Sequence, residues 1–221
     1  MQLTVIGLGL IGASCCASVR KRYPGWTING FSRTKPTREK ALAKGLIDRA
    51  CDTIPEAVSG SDFVLIAVPM GEFRKVYQIV YDFYHEGLVV TDAGSTKGSV
   101  IDDLITVSGS IPPWFIPGHP IAGSERSGVS AADPDLYVDQ QVILTPDRNS
   151  DKSAIECVID FWTRQGASVV QMDVTRHDEV LALTSHLPHI LAFNLVHALS
   201  DDDDHIDIFR YAAGGFRDFT R

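Results

Sequence analysis

The tightest constraint on this chain is a glycine pattern near its start. Gly7-Leu8-Gly9-Leu10-Ile11-Gly12 is a G-x-G-x-x-G that directly follows a short apolar run at 3–6 and opens a helical stretch at 13–21. A strand that passes through such a turn into a helix is the context in which this pattern binds a dinucleotide. The first glycine permits the tight turn. The second lets a pyrophosphate approach the backbone. The third allows close packing of helix on strand, with the helix N-terminus facing the anion. An ordinary glycine-rich turn is the competing reading.

The residues that follow extend the same architecture. Strand signals at 26–31, 63–68, 88–91, 114–116, 141–144 and 168–171 alternate with helical signals at 38–44, 73–84, 100–104 and 152–164, and Gly45 closes the first of these helices. Continuous apolar runs such as 63–68 suit strands buried on both faces of a parallel sheet. The alternation predicts an α/β fold, a Rossmann-type doubly wound sheet. After Met172 the pattern turns helical. Thr175-Arg176-His177-Asp178 reads as a capping arrangement, and a long apolar helix follows to about 199. The run of aspartates at 201–204 reads as a solvated loop, and 206–213 as a short helix. The expected organisation is a dinucleotide-binding domain over 1–172 and the start of an all-α domain over 173–221. The last residues, from Gly214 to Arg221, read as the middle of something, so the expectation is a chain truncated within its helical domain.

Composition narrows the class. With 22% charged and 44% hydrophobic residues in 221, the chain can bury a sizeable core, which excludes a disordered tail, a collagen-like fibre and a disulfide-stapled miniprotein. A net charge of −8 argues against a nucleic-acid partner, since phosphate contacts need a basic face. Cys15, Cys16, Cys51 and Cys157 form no C-x-x-C pair and read as small buried groups in a reducing compartment. The apolar stretch at 3–19 carries three glycines and no basic flank, so it is a poor signal peptide. The stretch at 180–199 has the length of a membrane span, about 20 residues. It holds His186, Pro188, His189, Asn194 and His197, and reads instead as a buried or subunit-interface helix. A soluble cytoplasmic protein with no membrane partner is expected. Four consecutive carboxylates cannot all face one ion, and no metal site is expected.

Two regions carry specificity and chemistry. At the end of the second strand an NAD site usually presents an acidic residue to the ribose 2′-hydroxyl. This chain has Ser32-Arg33-Thr34-Lys35 and then Arg38: hydroxyls and cations suited to a 2′-phosphate. NADP is therefore expected over NAD, with a merely solvated basic loop as the alternative. Val68 and Pro69, where the run at 63–68 ends, are assigned to the same site. Further along, Asp92-Ala93-Gly94-Ser95-Thr96-Lys97-Gly98 and Pro117-Gly118-His119-Pro120-Ile121-Ala122-Gly123-Ser124 follow the next two strands as loops, where ligands bind in such sheets. His119, held between glycine and proline, suits proton removal from an alcohol that is losing hydride. Ser95 would hold the imidazole or the substrate hydroxyl, and Ser124 lies in reach of substrate. A structural hydrogen bond is the competing role for His119. His186 and His189 are three apart in Ser185-His186-Leu187-Pro188-His189 and would share a helix face, as cleft groups, core histidines or metal ligands. Arg217 and Arg221, four apart, would clamp a carboxylate or sit at a solvated helix end.

These segments in this order resemble the prephenate/arogenate dehydrogenase family of tyrosine biosynthesis. The carriers are the glycine turn, Asp92 to Gly98, Gly118-His119-Pro120-Ile121-Ala122-Gly123, Ser185 to His189, and Gly214 to Arg221. The resemblance implies oxidative decarboxylation of a cyclohexadienol, with His119 as the base, Ser95 assisting, and His189 and Arg221 binding substrate. Glu125 falls where some members have an acidic gate residue. The resemblance also implies a homodimer built from the C-terminal helices. Many members prefer NAD and carry an acid at the second strand's end. Ser32-Arg33-Thr34 is the pattern of the NADP-preferring branch, often arogenate-using. The rival readings are another NADP dehydrogenase, of the hydroxyacid or imine type, and a non-catalytic NADP-binding module. The first usually places a lysine on its helical domain, and no lysine follows Lys152.

Overall fold

A computed structural model describes residues 1–200 and 214–220, backbone only at 200, 217 and 218. The aspartate run at 201–204, the helix expected at 206–213, Arg221 and the side chain of Arg217 lie outside the described residues. The chain divides into two units, Met1–Val174 and Thr175–Arg221.

The first unit begins with β1 (Gln2–Ile6), α1 (Leu10–Arg22), β2 (Thr27–Phe31), α2 (Lys35–Ala43), β3 (Arg49–Ala50), α3 (Ile54–Val58), β4 (Phe63–Ile66), α4 (Met70–Asp82), β5 (Val89–Asp92), α5 (Lys97–Ser108) and β6 (Phe115–Ile116). These six strands form one parallel sheet in the order β3-β2-β1-β4-β5-β6. The order reverses between β1 and β4, which places the crevice of a doubly wound sheet there.

Period-two alternation distributes each strand between two cores. Leu3 and Val5 of β1 and Phe63 and Leu65 of β4 face one side, where they meet Cys15, Cys16 and Val19 of α1. Ile6, Val64 and Ile66 face the other, against Phe73, Tyr77 and Val80 of α4 and Val100 and Leu104 of α5. Both faces are apolar, which explains why 63–66 is a continuous apolar run rather than an alternating one.

The remaining strands depart from the expectation of one extended sheet. β7 (Gly118–Ile121), β8 (Gln141–Leu144) and β9 (Ser168–Gln171) form a separate three-stranded sheet in the order β7-β8-β9. β7 runs antiparallel to β8, with His119 opposite Ile143, and β8 is parallel to β9. The helix α6 (Lys152–Arg164) joins β8 and β9 and packs Val158, Phe161 and Trp162 into the same core as α1. The expectation of His119 in a loop is thus corrected: it lies on a strand. Pro120 disguises that strand, because proline removes a ladder donor, and β7 tolerates it as an edge strand. Two short elements, β3 and α3, were not anticipated, and α5 is longer than the expected 100–104.

The second unit is helical. α7 (Val174–Leu181) passes through a π-turn (Ala182–His186) into α8 (Leu187–Ser200), and a last helix spans Gly214–Thr220. Because α7 starts at Val174, Thr175 lies inside its first turn. The single long helix expected here is interrupted at 182–186. Pro188 has no N–H to donate, and its ring would clash with the carbonyl of Thr184 in a regular helix, so a wider turn accommodates it. Val174–Leu199 is long and apolar enough to cross a membrane by length and composition, and little of it is buried. Leu183, Ile190 and Phe193 are well exposed. The half of the expectation that made this stretch a buried helix is therefore corrected for the chain taken by itself.

Candidate active site

The turn from β1 into α1 is built by its glycines. Gly7 has φ +102°, and a Cβ there would stand 2.2 Å from the Ala67 carbonyl oxygen. A Cβ on Gly12 would fall 1.9 Å from the Gly7 carbonyl oxygen, so only glycine lets α1 approach β1 this closely. Gly9 differs: a Cβ there meets nothing within 4 Å. Its bareness leaves open space in front of the N-terminus of α1, which has no acidic residue in its first turn and no side-chain cap. An anion suits that position.

The space belongs to a cavity of about 520 Å³ that runs along the carboxyl ends of β1, β2 and β4. Gly7, Leu8, Gly9, Ser32, Arg33, Thr34, Val68 and Pro69 line it, and so do Thr37, Glu72, Lys75 and Val129. Its size and its glycine turn fit a dinucleotide. Arg33 and Lys75 supply two cations beside the Ser32 and Thr34 hydroxyls, with Glu72 as the one carboxylate among the lining residues. The Thr34 hydroxyl is held 2.7 Å from that of Thr37.

Four expected cofactor residues, Leu10, Ile11, Gly12 and Arg38, are not among the residues that line this cavity. Arg38 is buried, donates to the Ser32 carbonyl at 2.7 Å and pairs with Asp52 at 2.5 Å. Its guanidinium shapes the loop rather than lining the cavity. Ile11 accepts a hydrogen bond from the Tyr137 hydroxyl at 2.6 Å. Leu10 lines a second, more polar cavity of about 380 Å³, together with Ser124, Glu125, Arg126 and Asp133. The Ser124 hydroxyl accepts from the Arg126 backbone at 3.2 Å, and Glu125 faces Arg126 at 3.9 Å.

The segments that carry Ser95 and His119 are tied together where β5 ends and β7 begins. Asp92, the last residue of β5, accepts from the Gly118 N–H at 3.0 Å and from the Gly94 N–H at 2.8 Å. Lys97 reaches back to the same carboxylate at 2.5 Å and donates to the Gly118 carbonyl at 2.6 Å. Both charged side chains are fully buried. This arrangement sets the turn carrying exposed Ser95 against the strand carrying half-buried His119. In the sequence Asp92 and Lys97 are two members of the motif at 92–98 with no role of their own legible there. Two opposite charges bracketing a tight turn after an apolar strand was the available signal. Thr37, Glu72 and Lys75 were also missed, since only α2 and α4 packing brings them to the cavity.

His186 and His189 stand on the second unit. His186 ends the π-turn and is partly buried. His189 is exposed, with Nδ1 2.7 Å from the Ser185 carbonyl oxygen. Among the described residues, no group of three or more histidine, cysteine or acidic side chains is placed to hold a metal.

A parallel sheet in this order, with a glycine turn and a cavity at its switch point, defines a nucleotide-binding dehydrogenase domain of the Rossmann class. Residues 15–171 match the family model of the prephenate dehydrogenase nucleotide-binding domain, and 173–221 that of the prephenate dehydrogenase dimerization domain. The chain belongs to the prephenate dehydrogenase family. It is 37% identical to a cyclohexadienyl dehydrogenase of Zymomonas mobilis, over 100% of this chain and 75% of that protein. It is also 37% identical to a prephenate dehydrogenase of Bacillus subtilis, over 99% of this chain but 59% of the relative. Among solved structures, a prephenate dehydrogenase from Aquifex aeolicus in complex with hydroxyphenyl propionate and NAD+ superposes with a TM-score of 0.91 at 35% identity, covering 100% of this chain and 77% of that one.

Proposed function

We propose that the protein catalyses oxidative decarboxylation of a cyclohexadienol, arogenate or prephenate, with hydride passed to NADP. The observation that carries this is the placement of His119 on β7, clamped through Gly118 to the end of β5. That strand end belongs to the same carboxyl edge of the sheet as the dinucleotide cavity. A dinucleotide held by the glycine turn and by Ser32, Arg33 and Thr34 would supply the hydride acceptor for the substrate's ring carbon. His119 takes the proton of the C4 hydroxyl as that hydride leaves C4. The ring carboxylate departs as carbon dioxide, its electron pair enters the ring, and His119 returns the proton to the resulting phenolate. Aromatisation makes the step effectively irreversible. Ser95 holds the hydroxyl or the imidazole in line. Ser124, His186, His189, Arg217 and Arg221 serve the substrate, with Arg221 on its carboxylate.

The NADP preference rests on Ser32, Arg33 and Thr34 lining the cavity, with Arg38 acting behind them through the Ser32 carbonyl. The NAD+ in the Aquifex complex weighs towards dual use. The exposed apolar helix α8 supports a homodimer, and four free cysteines fit a reducing cytoplasm. The test is a steady-state assay crossing arogenate and prephenate with NADP and NAD. Turnover is expected with NADP, and none of the four combinations turning over would leave a binding module. His119→Asn is expected to lower kcat by at least about 10²-fold, and near-normal turnover of that variant overturns the assignment.

A further inference from the structure

Resting on the reading of His119 as the base, we infer that the buried Asp92–Lys97 ion pair is the positioning device for its imidazole. Gly118, the residue before His119, has both of its backbone polar groups tied to this one pair. Its N–H donates to Asp92 Oδ1 at 3.0 Å, and its carbonyl accepts from Lys97 Nζ at 2.6 Å. The approach is close: a Cβ on Gly118 would lie 3.0 Å from both the Asp92 carbonyl oxygen and the Thr91 hydroxyl. The other carboxylate oxygen of Asp92 receives Lys97 at 2.5 Å and the Gly94 N–H at 2.8 Å, which orients the turn carrying Ser95.

One pair therefore sets two segments relative to each other. It does so just past the end of the β5–β6 ladder, whose last pair is Thr91 with Ile116, where the chain leaves the six-stranded sheet for the three-stranded one. A fully buried ion pair is a poor way to gain stability, since apolar side chains of similar volume serve as well or better. Its charge-assisted bonds are short and directional, and that is what holding a peptide plane requires. Rotation of the Gly118 peptide would swing His119 off the hydroxyl it must reach.

The experiment uses the whole chain with Asp92→Asn/Lys97→Met, which removes both charges together so that neither is left buried alone. A kcat lower by about 10- to 100-fold is expected, the scale of a misplacement near 1 Å. KM for the cyclohexadienol and the affinity for NADP are expected to stay within about twofold, the mark of a loss confined to the chemical step. The acid limb of the pH–rate profile should stay in place, because His119 remains the base. Unchanged kcat in the folded double variant overturns the inference, as does a loss of activity that only tracks loss of folded protein. Should that variant not fold, Asp92→Asn/Lys97→Gln keeps hydrogen bonding without charge. An intermediate kcat then supports the inference and a normal one overturns it. His119→Asn run alongside separates the two claims. If it stays active, the catalytic reading falls. If it is inactive while the charge-free pair is fully active, only the positioning role falls.

Discussion

Ser32 and Arg33 are the side chains on which cofactor choice turns. Each lines the cavity where β2 ends, and no carboxylate follows Phe31 there to repel a 2′-phosphate. Replacing Ser32 with Asp and Arg33 with Ala removes a cation and adds the acid that an NAD site uses. A bond to a charged group contributes about 1.5–3 kcal/mol, so the kcat/KM ratio for NADP over NAD should fall by about tenfold or more. An unchanged ratio would refute the phosphate reading. Arg38 shows why such residues are only half legible. Its charge and spacing marked it as a phosphate ligand, yet its partners are the Ser32 carbonyl and Asp52. Asp52 follows β3, a two-residue strand that composition does not announce, so the competition for the guanidinium is settled by folding. Lys75 is the reverse case, an unremarkable helix lysine that α4 delivers to the cavity.

The turn between β1 and α1 is the element most fully written in local sequence. Its two packing glycines and its ligand-facing glycine should respond differently to the same change. Gly12→Ala puts a methyl group 1.9 Å from the Gly7 carbonyl oxygen and should destabilise the fold by about 1–3 kcal/mol, the usual scale of overpacking. Gly9→Ala meets nothing within 4 Å at a φ of −77°, so its melting temperature should hold while dinucleotide affinity drops. Thermal melts and cofactor titrations of both variants check this, and equal melting temperatures would contradict the packing argument. The strand carrying His119 was less legible for a physical reason. Gly118 and Pro120 are loop-formers by propensity. They become a strand because β8 offers a ladder on one side, while among the described residues no strand pairs with β7 on the other, where proline's missing donor would be needed. Likewise, the π-turn at 182–186 follows from Pro188 meeting the preceding turn, a conflict that apolar patterning does not register.

For the molecule as a whole, the unanswered burial is on the second unit. Leu183, Leu187, Ile190, Leu191, Phe193 and Leu195 are all exposed on one chain. An apolar face of that extent, in a region that matches a dimerization domain, fits the proposed homodimer. Sedimentation of the whole chain should give a dimer. Ile190→Glu/Phe193→Glu should shift it to monomer without disturbing the 1–174 unit, and a monomer in the unaltered protein would contradict the interface. The alternation of strand and helix and the glycine turn were determined by the sequence alone, because each depends on neighbours a few positions away, and the candidate chemical residues His119 and Ser95 were legible through the order of the motifs that carry them. Three things were decided only by tertiary structure: the split into two sheets, the burial of Asp92 and Lys97 against Gly118, and the withdrawal of Arg38 from the cavity. Each is a contest between partners distant in the chain, and burial makes the outcome costly to get wrong, since a charge removed from water must find its counterpart wherever the fold has placed it.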